Sequence, residues 1–260
     1  MAGKVRSAVS SWLSQVGDLA GFAARAVRDI PRPPYEFGEI LRHLYELGAR
    51  SAPLVAVSGL AVGVVLSMHT RATLERFGAE SMIPAGLAMA LIRETGPLTA
   101  GLLLAGRIGA GIGAELAAMR VTEQIDALEA IGVDSFRFLV VTRVIACLIA
   151  FPLLTTILNF AGIFGGFLAE TLASGMSFQL YMQRAFAMID FPTFLPSTLK
   201  TMAFGFIIAT ASSFLGFRAD QGTEGVGRAS TQSVVLSSVL LIVVNVLLVQ
   251  LIFVLFPTVR

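Results

Sequence analysis

Three ionisable side chains stand where the chain is otherwise least tolerant of charge: Arg93, Glu94 and Lys200. Arg93 and Glu94, with Arg107 further along, interrupt an apolar stretch that runs from about Ile83 to Met119, and Lys200 interrupts another from roughly Phe191 to Phe217. A carboxylate and two cations in such settings can pair across helices and fix packing. They can also meet a charged ligand, or trade a proton as acid and base. Charge inside apolar segments is costly, and its default reading is function. The first two uses stand about level, and the third would make the chain an intramembrane enzyme with Glu94 and Lys200 as acid and base. Depth favours a Glu94–Lys200 pair. Arg93 and Glu94 fall about 15 Å along the axis of a helix from Ile83, and Lys200 roughly 10–13 Å into its own helix from the same side. Pro97, just beyond, can kink the helix and widen a cavity.

Other reactive chemistry is missing from the sequence. There is no G-x-x-x-x-G-K-[ST] phosphate loop, so ATP is not hydrolysed by that route. H-E-x-x-H, G-x-S-x-G and Cys/His ligand clusters are missing too, so no catalytic residue, metal or cofactor is expected in this chain. His43 and His69 have no evident catalytic partner. The single cysteine, Cys147, lies in an apolar run and excludes an intramolecular disulfide.

The elements that position these charges follow from composition. Hydrophobic residues make up 55% of the chain and charged residues 14%, against roughly 25% charged in typical soluble domains. A bilayer-spanning helix needs about 20 mostly apolar residues. Five segments qualify: Ser51–Thr70, Ile83–Met119, Val144–Ala169, Phe191–Phe217 and Val234–Phe256. The expectation is an all-α integral membrane protein, with a five-span region over 51–260 and an amphipathic interfacial region over 1–50. No cleavable signal peptide is evident, because the first fifty residues carry both signs of charge and no compact apolar core. In that region Val5, Val9, Trp12, Val16, Leu19 and Ala23 form an apolar helical stripe, Pro31, Pro33 and Pro34 break it, and Phe37, Ile40, Leu41 and Leu44 begin a second short helix. Such helices either lie on the membrane surface or pack on protein. Phe178, Tyr181, Met182, Ala185, Phe186 and Ile189 mark a further amphipathic helix, too polar and short for a sixth span.

Basic residues set the orientation. With the N-terminus in the cytoplasm, seven basic residues precede the first span, and Arg120, Arg137, Arg143, Arg218 and Arg228 fall on the same side. Arg71, Arg76, Arg184 and Arg260 fall on the other, and the C-terminus with them. The net charge of +2 does not suggest nucleic acid.

Two patterns concern contacts. Gly101, Ala105, Gly109, Gly113 and Ala117 recur every fourth residue, a small-residue stripe that lets helix backbones approach closely. Packing within the chain is its default use, and a dimer seam is the alternative. Between the second and third spans, residues 121–132 read as a short amphipathic helix. Val121, Ile125, Leu128 and Ile131 form one face, with Glu123, Asp126 and Glu129 elsewhere on it. Gly132 suits its C-terminal cap; Thr122 suits its N-terminal one, the alternative being that the chain runs on continuously from the second span. An acidic helix is repelled by the anionic cytoplasmic leaflet, which favours a soluble partner over the membrane surface.

Arg93-Glu94-Thr95-Gly96-Pro97-Leu98, Ala105-Gly106-Arg107-Ile108-Gly109, the run from Met119 to Glu129, and Gly225-Val226-Gly227-Arg228-Ala229-Ser230-Thr231 together resemble the MlaE family. These are permease subunits of ABC transporters that move phospholipids or other lipids between membranes. The likeness runs from about residue 40 to the end. It implies a homodimer of five-span permeases in the bacterial inner membrane and two cytoplasmic ABC ATPases that use ATP. It further implies an MCE-type lipid-binding protein on the periplasmic side. By resemblance, the 121–132 helix is the coupling helix that docks on the ATPase, through Val121, Glu123, Ile125, Leu128, Glu129 and Ile131. Arg93, Glu94 and Lys200 match charged positions of the lipid cavity, and Leu66 and Phe77 line or border it. An ABC permease for a non-lipid solute is the alternative within the same class.

Overall fold

The computed structural model describes residues 2–33, 35–220 and 222–255, without the side chains of 2–13, 192 and 253. The side chains of Lys4, Val5, Val9 and Trp12, together with Pro34, Phe256 and Arg260, therefore lie outside the described residues. Among those described there is no strand. Five helices are long and apolar enough to cross a membrane, as their sequences require: span 1 (Phe37–Phe77), span 2 (Glu80–Val121), span 3 (Phe136–Ser174), span 4 (Phe191–Phe217) and span 5 (Thr223–Leu255). This is a multi-pass membrane fold. The N-terminal helix (Ala2–Asp29) and a short loop helix (Gln124–Ala130) lie at one end, and another short helix (Phe178–Phe186) at the far end.

Two boundaries differ from the expectation. The short helix expected after Pro34 does not stand apart: Phe37–His43 runs through a π turn at Leu44–Gly48 and a 3-10 turn at Ala49–Ser51 straight into span 1. No residue after Pro34 stops it, so the expected division at residue 50 falls inside a continuous helix. Span 3 likewise begins before Val144, and Arg137 and Arg143, expected in a loop, are part of its first turns.

Packing follows the small residues. Span 1 lies against span 3 through Gly59-x-x-x-Gly63, set against Leu158 and Gly162; a side chain at Gly63 would overlap the Gly162 carbonyl. Close backbone approach of this kind substitutes for a hydrophobic driving force in lipid. The stripe of span 2 packs within the chain. Gly101 meets Phe204 and Leu241, Gly109 meets Ser212, and Gly113 meets Ser233, while Ala105 is fully buried. It is thus sandwiched between spans 4 and 5. The C-terminal half of the N-terminal helix packs on protein, with Phe22 edge-on to Phe136 and Phe214. Arg218 pairs with Asp18 at 2.9 Å, while Val16 on the predicted stripe stays exposed.

Candidate functional site

Span 2 is broken by two π turns, and Arg93, Glu94 and Arg107 sit in them. Leu91–Thr95 and Ala105–Gly109 are π turns, a feature concentrated at functional positions. The first contains Arg93 and Glu94. Pro97 follows and has no N–H to give the carbonyl four residues back, which is that of Arg93. Lys200 of span 4 supplies the missing donor: its Nζ gives one hydrogen bond to the Arg93 carbonyl at 2.9 Å and another to Glu94 Oε2 at 2.7 Å. Asn245 of span 5 donates through Nδ2 to Glu94 Oε1. Three spans thus converge on one carboxylate.

The two charges are not equally enclosed. The Lys200 side chain is 2% exposed and that of Glu94 42%. Arg93, Glu94 and Thr95 face a cavity of about 510 Å³. Its other walls are Leu74, Met82, Ala85, Gly86, Met89, Ala90 and Met188. A buried cation therefore holds a carboxylate at the edge of an apolar, methionine-rich chamber, with a guanidinium-bearing residue beside it. Such a chamber suits a ligand with apolar bulk and a charged group, because methionine adapts to irregular apolar shapes and the polar groups converge on one wall. Leu66 packs instead into the cluster around Leu87, Leu91, Ile163 and Tyr181, and Phe77 is exposed at the end of span 1. Neither lines the chamber.

The second π turn behaves alike. Arg107 Nε donates to Ser51 Oγ and Nη2 to the Arg50 carbonyl, both at 2.9 Å, where span 1 breaks from α-helical spacing. Arg143 Nη1 donates to the Leu139 carbonyl in the π turn Phe136–Val141, and Nη2 pairs with Glu115 at 2.8 Å. Cations sit where helix carbonyls lose regular partners.

The loop helix divides its residues. Ile125 is 1% exposed and belongs to the main core, and Leu128 packs against it. Val121 is half-buried, whereas Glu123, Asp126, Glu129 and Ile131 are exposed, Ile131 at 76%. Ile125 thus anchors the helix to its own chain and does not present itself to a partner. Thr122 is not the N-terminal cap: its hydroxyl donates back to the Ala118 carbonyl, and the break comes at Glu123, at φ 60° the one non-glycine residue with positive φ among those described. Arg120 spans the break to Asp126 at 2.5 Å. Gly132, at φ 83°, lets its N–H reach the Glu129 carbonyl and that of Val133 reach Leu128, the paired bonds of a glycine-capped C-terminus.

Sequence reasoning missed two things here. Asn245 was not connected with Glu94. Also passed over was Glu170 of span 3, which is 1% exposed and accepts from Ser67 at 2.9 Å and Arg71 at 2.5 Å. Charge at a predicted span end was the available signal.

Comparison with known proteins agrees with this architecture. A family model described as Permease MlaE matches residues 40–251. A probable ABC transporter permease protein of Rickettsia felis is 38% identical over 253 residues, covering 97% of this chain and 98% of that one. Another, from Synechocystis, is 30% identical over 82% of this chain and 81% of its own length. The intermembrane phospholipid transport system permease protein MlaE of Haemophilus influenzae is 30% identical over 86% of each chain.

Proposed function

This chain belongs to the MlaE permease family of ABC transporters, and from that premise we propose that it moves phospholipid or a related lipid between membranes. An ABC permease works with an ATPase, and ATP is consumed there rather than in this chain. The observation that carries the lipid reading is the Arg93–Glu94 wall of an otherwise apolar chamber of about 510 Å³. A phospholipid offers an anionic phosphate and apolar chains, and the chamber offers a guanidinium beside methionine and leucine. The name of the Haemophilus influenzae relative, an intermembrane phospholipid transport permease, supports the same substrate class. Two copies of the chain form the permease in the inner membrane, with the N-terminus cytoplasmic and the C-terminus periplasmic, as the basic residues favour. Two ATPases bind on the cytoplasmic side and an MCE-type lipid-binding protein on the other.

Mass spectrometry of lipids co-purified with the intact complex tests the substrate. Phospholipid should co-purify with the wild type and be depleted in Glu94→Ala; retention of a hydrophilic solute with no lipid overturns the reading. The exposed, acidic side of the loop helix with Ile131 is the docking face for the ATPase. Ile131→Asp with Glu123→Lys should reduce ATPase recovery at unchanged thermal stability. Ile125→Asp should lower stability itself, because it buries an unpaired charge in the core. Undiminished ATPase recovery with the first pair removes the docking assignment.

A further inference from the structure

We propose that the outer flank of spans 3 and 4 holds a second lipid site, a cleft that takes one apolar chain bearing a neutral oxygen and reads that oxygen through Asn159. The cleft measures about 300 Å³ and is walled by Ile92, Phe160, Phe186, Phe191 and Phe194, with Asn159 among its lining residues. Asn159 is 2% exposed, yet neither its Oδ1 nor its Nδ2 has a hydrogen-bond partner among the described residues. Folded proteins seldom leave a buried amide unpaired, and one that does so beside a cavity is available to whatever enters it.

Three observations specify the occupant. The walls are aromatic and aliphatic, so its body is apolar. Among the described residues, the one charged residue lining the cleft is Asp190, a carboxylate, so a phosphate headgroup is repelled and the oxygen that Asn159 meets is uncharged: an ester carbonyl or a hydroxyl. A partner's transmembrane helix, about 10–12 Å across with its side chains, is too wide for a cleft of this volume. The site bears directly on the proposed transport chamber. Asn159 abuts Gly96, where any side chain would overlap it. Ile92 lines the cleft while Arg93, Glu94 and Thr95 of the same π turn line the chamber. An occupant of the cleft therefore touches the turn that sets Glu94.

Photolabelling tests this without any transport measurement, so its failure and that of the transport reading are separate results. The full chain with its ATPase, in phosphatidylcholine nanodiscs, is labelled with three diazirine-bearing C16 probes: a fatty alcohol, a fatty acid methyl ester and a plain hydrocarbon. Peptide mass spectrometry reads adducts at Phe160, Phe186 and Phe191. The alcohol or the ester should label these sites about fivefold more than the hydrocarbon, the scale of one neutral hydrogen bond, and the better of the two identifies the oxygen. Asn159→Leu should erase that preference while raising the melting temperature of the probe-free protein, since it removes an unpaired buried amide. Ile189→Trp at the rim should block labelling by all three. Equal labelling by the hydrocarbon overturns the proposal. So does a fall in melting temperature in Asn159→Leu, which would mean that the amide has a structural partner.

Discussion

Glu170 and Glu94 each accept hydrogen bonds from neighbouring spans, but their surroundings differ in kind. Glu170 is almost wholly enclosed, holding Ser67 and Arg71 of span 1, and Arg71 turns its remaining donor to Glu75 at 2.7 Å. Tyr181 of the short far-end helix is fully buried close by, beside Gly166. Burial, and secondarily the Glu170 carboxylate, push its phenol pKa up, so it stays neutral. Every charge in that cluster is spent on another protein group. At Glu94 the burial is reversed: the cation is enclosed and the carboxylate remains partly open on a chamber. An ion pair that closes on itself holds two helices together, whereas one with a charge left at a cavity wall is set up to meet a ligand.

The largest expected effect comes from opening the closed cluster. Arg71→Ala would leave Glu170 buried with a single hydroxyl, and breaking a buried pair costs about 3–5 kcal/mol in soluble proteins, less in lipid. Thermal unfolding in detergent should show this loss, with transport per folded molecule retained. Normal stability with lost transport would reverse the comparison. Next is the charge swap Glu94→Lys with Lys200→Glu. The pair is restored, so the protein should assemble with its ATPase, yet lipid transfer should fall about tenfold or more, equivalent to roughly 1.4 kcal/mol, because the positive charge has moved relative to the phosphate. Full transport in the swap would leave the pair as scaffolding. The smallest effects sharpen the contrast. Ser67→Ala and Asn245→Ala each remove one donor to a carboxylate and should cost about 1–2 kcal/mol or less in stability. Only Asn245→Ala should slow lipid transfer, a few-fold, by loosening Glu94. Equal transfer rates in the two variants would erase the distinction.

Apolar length and the cost of buried charge are local properties, readable one segment at a time. For that reason the sequence by itself determined the five spans, the short far-end helix, the glycine cap at Gly132 and the pairing of Glu94 with Lys200 at matching depth. Helical periodicity also placed Val121, Ile125, Leu128 and Ile131 on one face. It could not say that Ile125 turns into the core while Ile131 faces outward, because that depends on what covers each position. Asn245 as the third partner of Glu94, the enclosure of Glu170 and the chamber beside Arg93 were likewise decided by tertiary structure. So were the π turns. Each inserts one residue into the helical register and rotates everything beyond it by about 100°, so faces drawn at a constant 3.6 residues per turn drift away from the neighbours they meet. The polar groups that matter here sit at those insertions, where the backbone releases a carbonyl and a side chain from another span must be close enough to take its place.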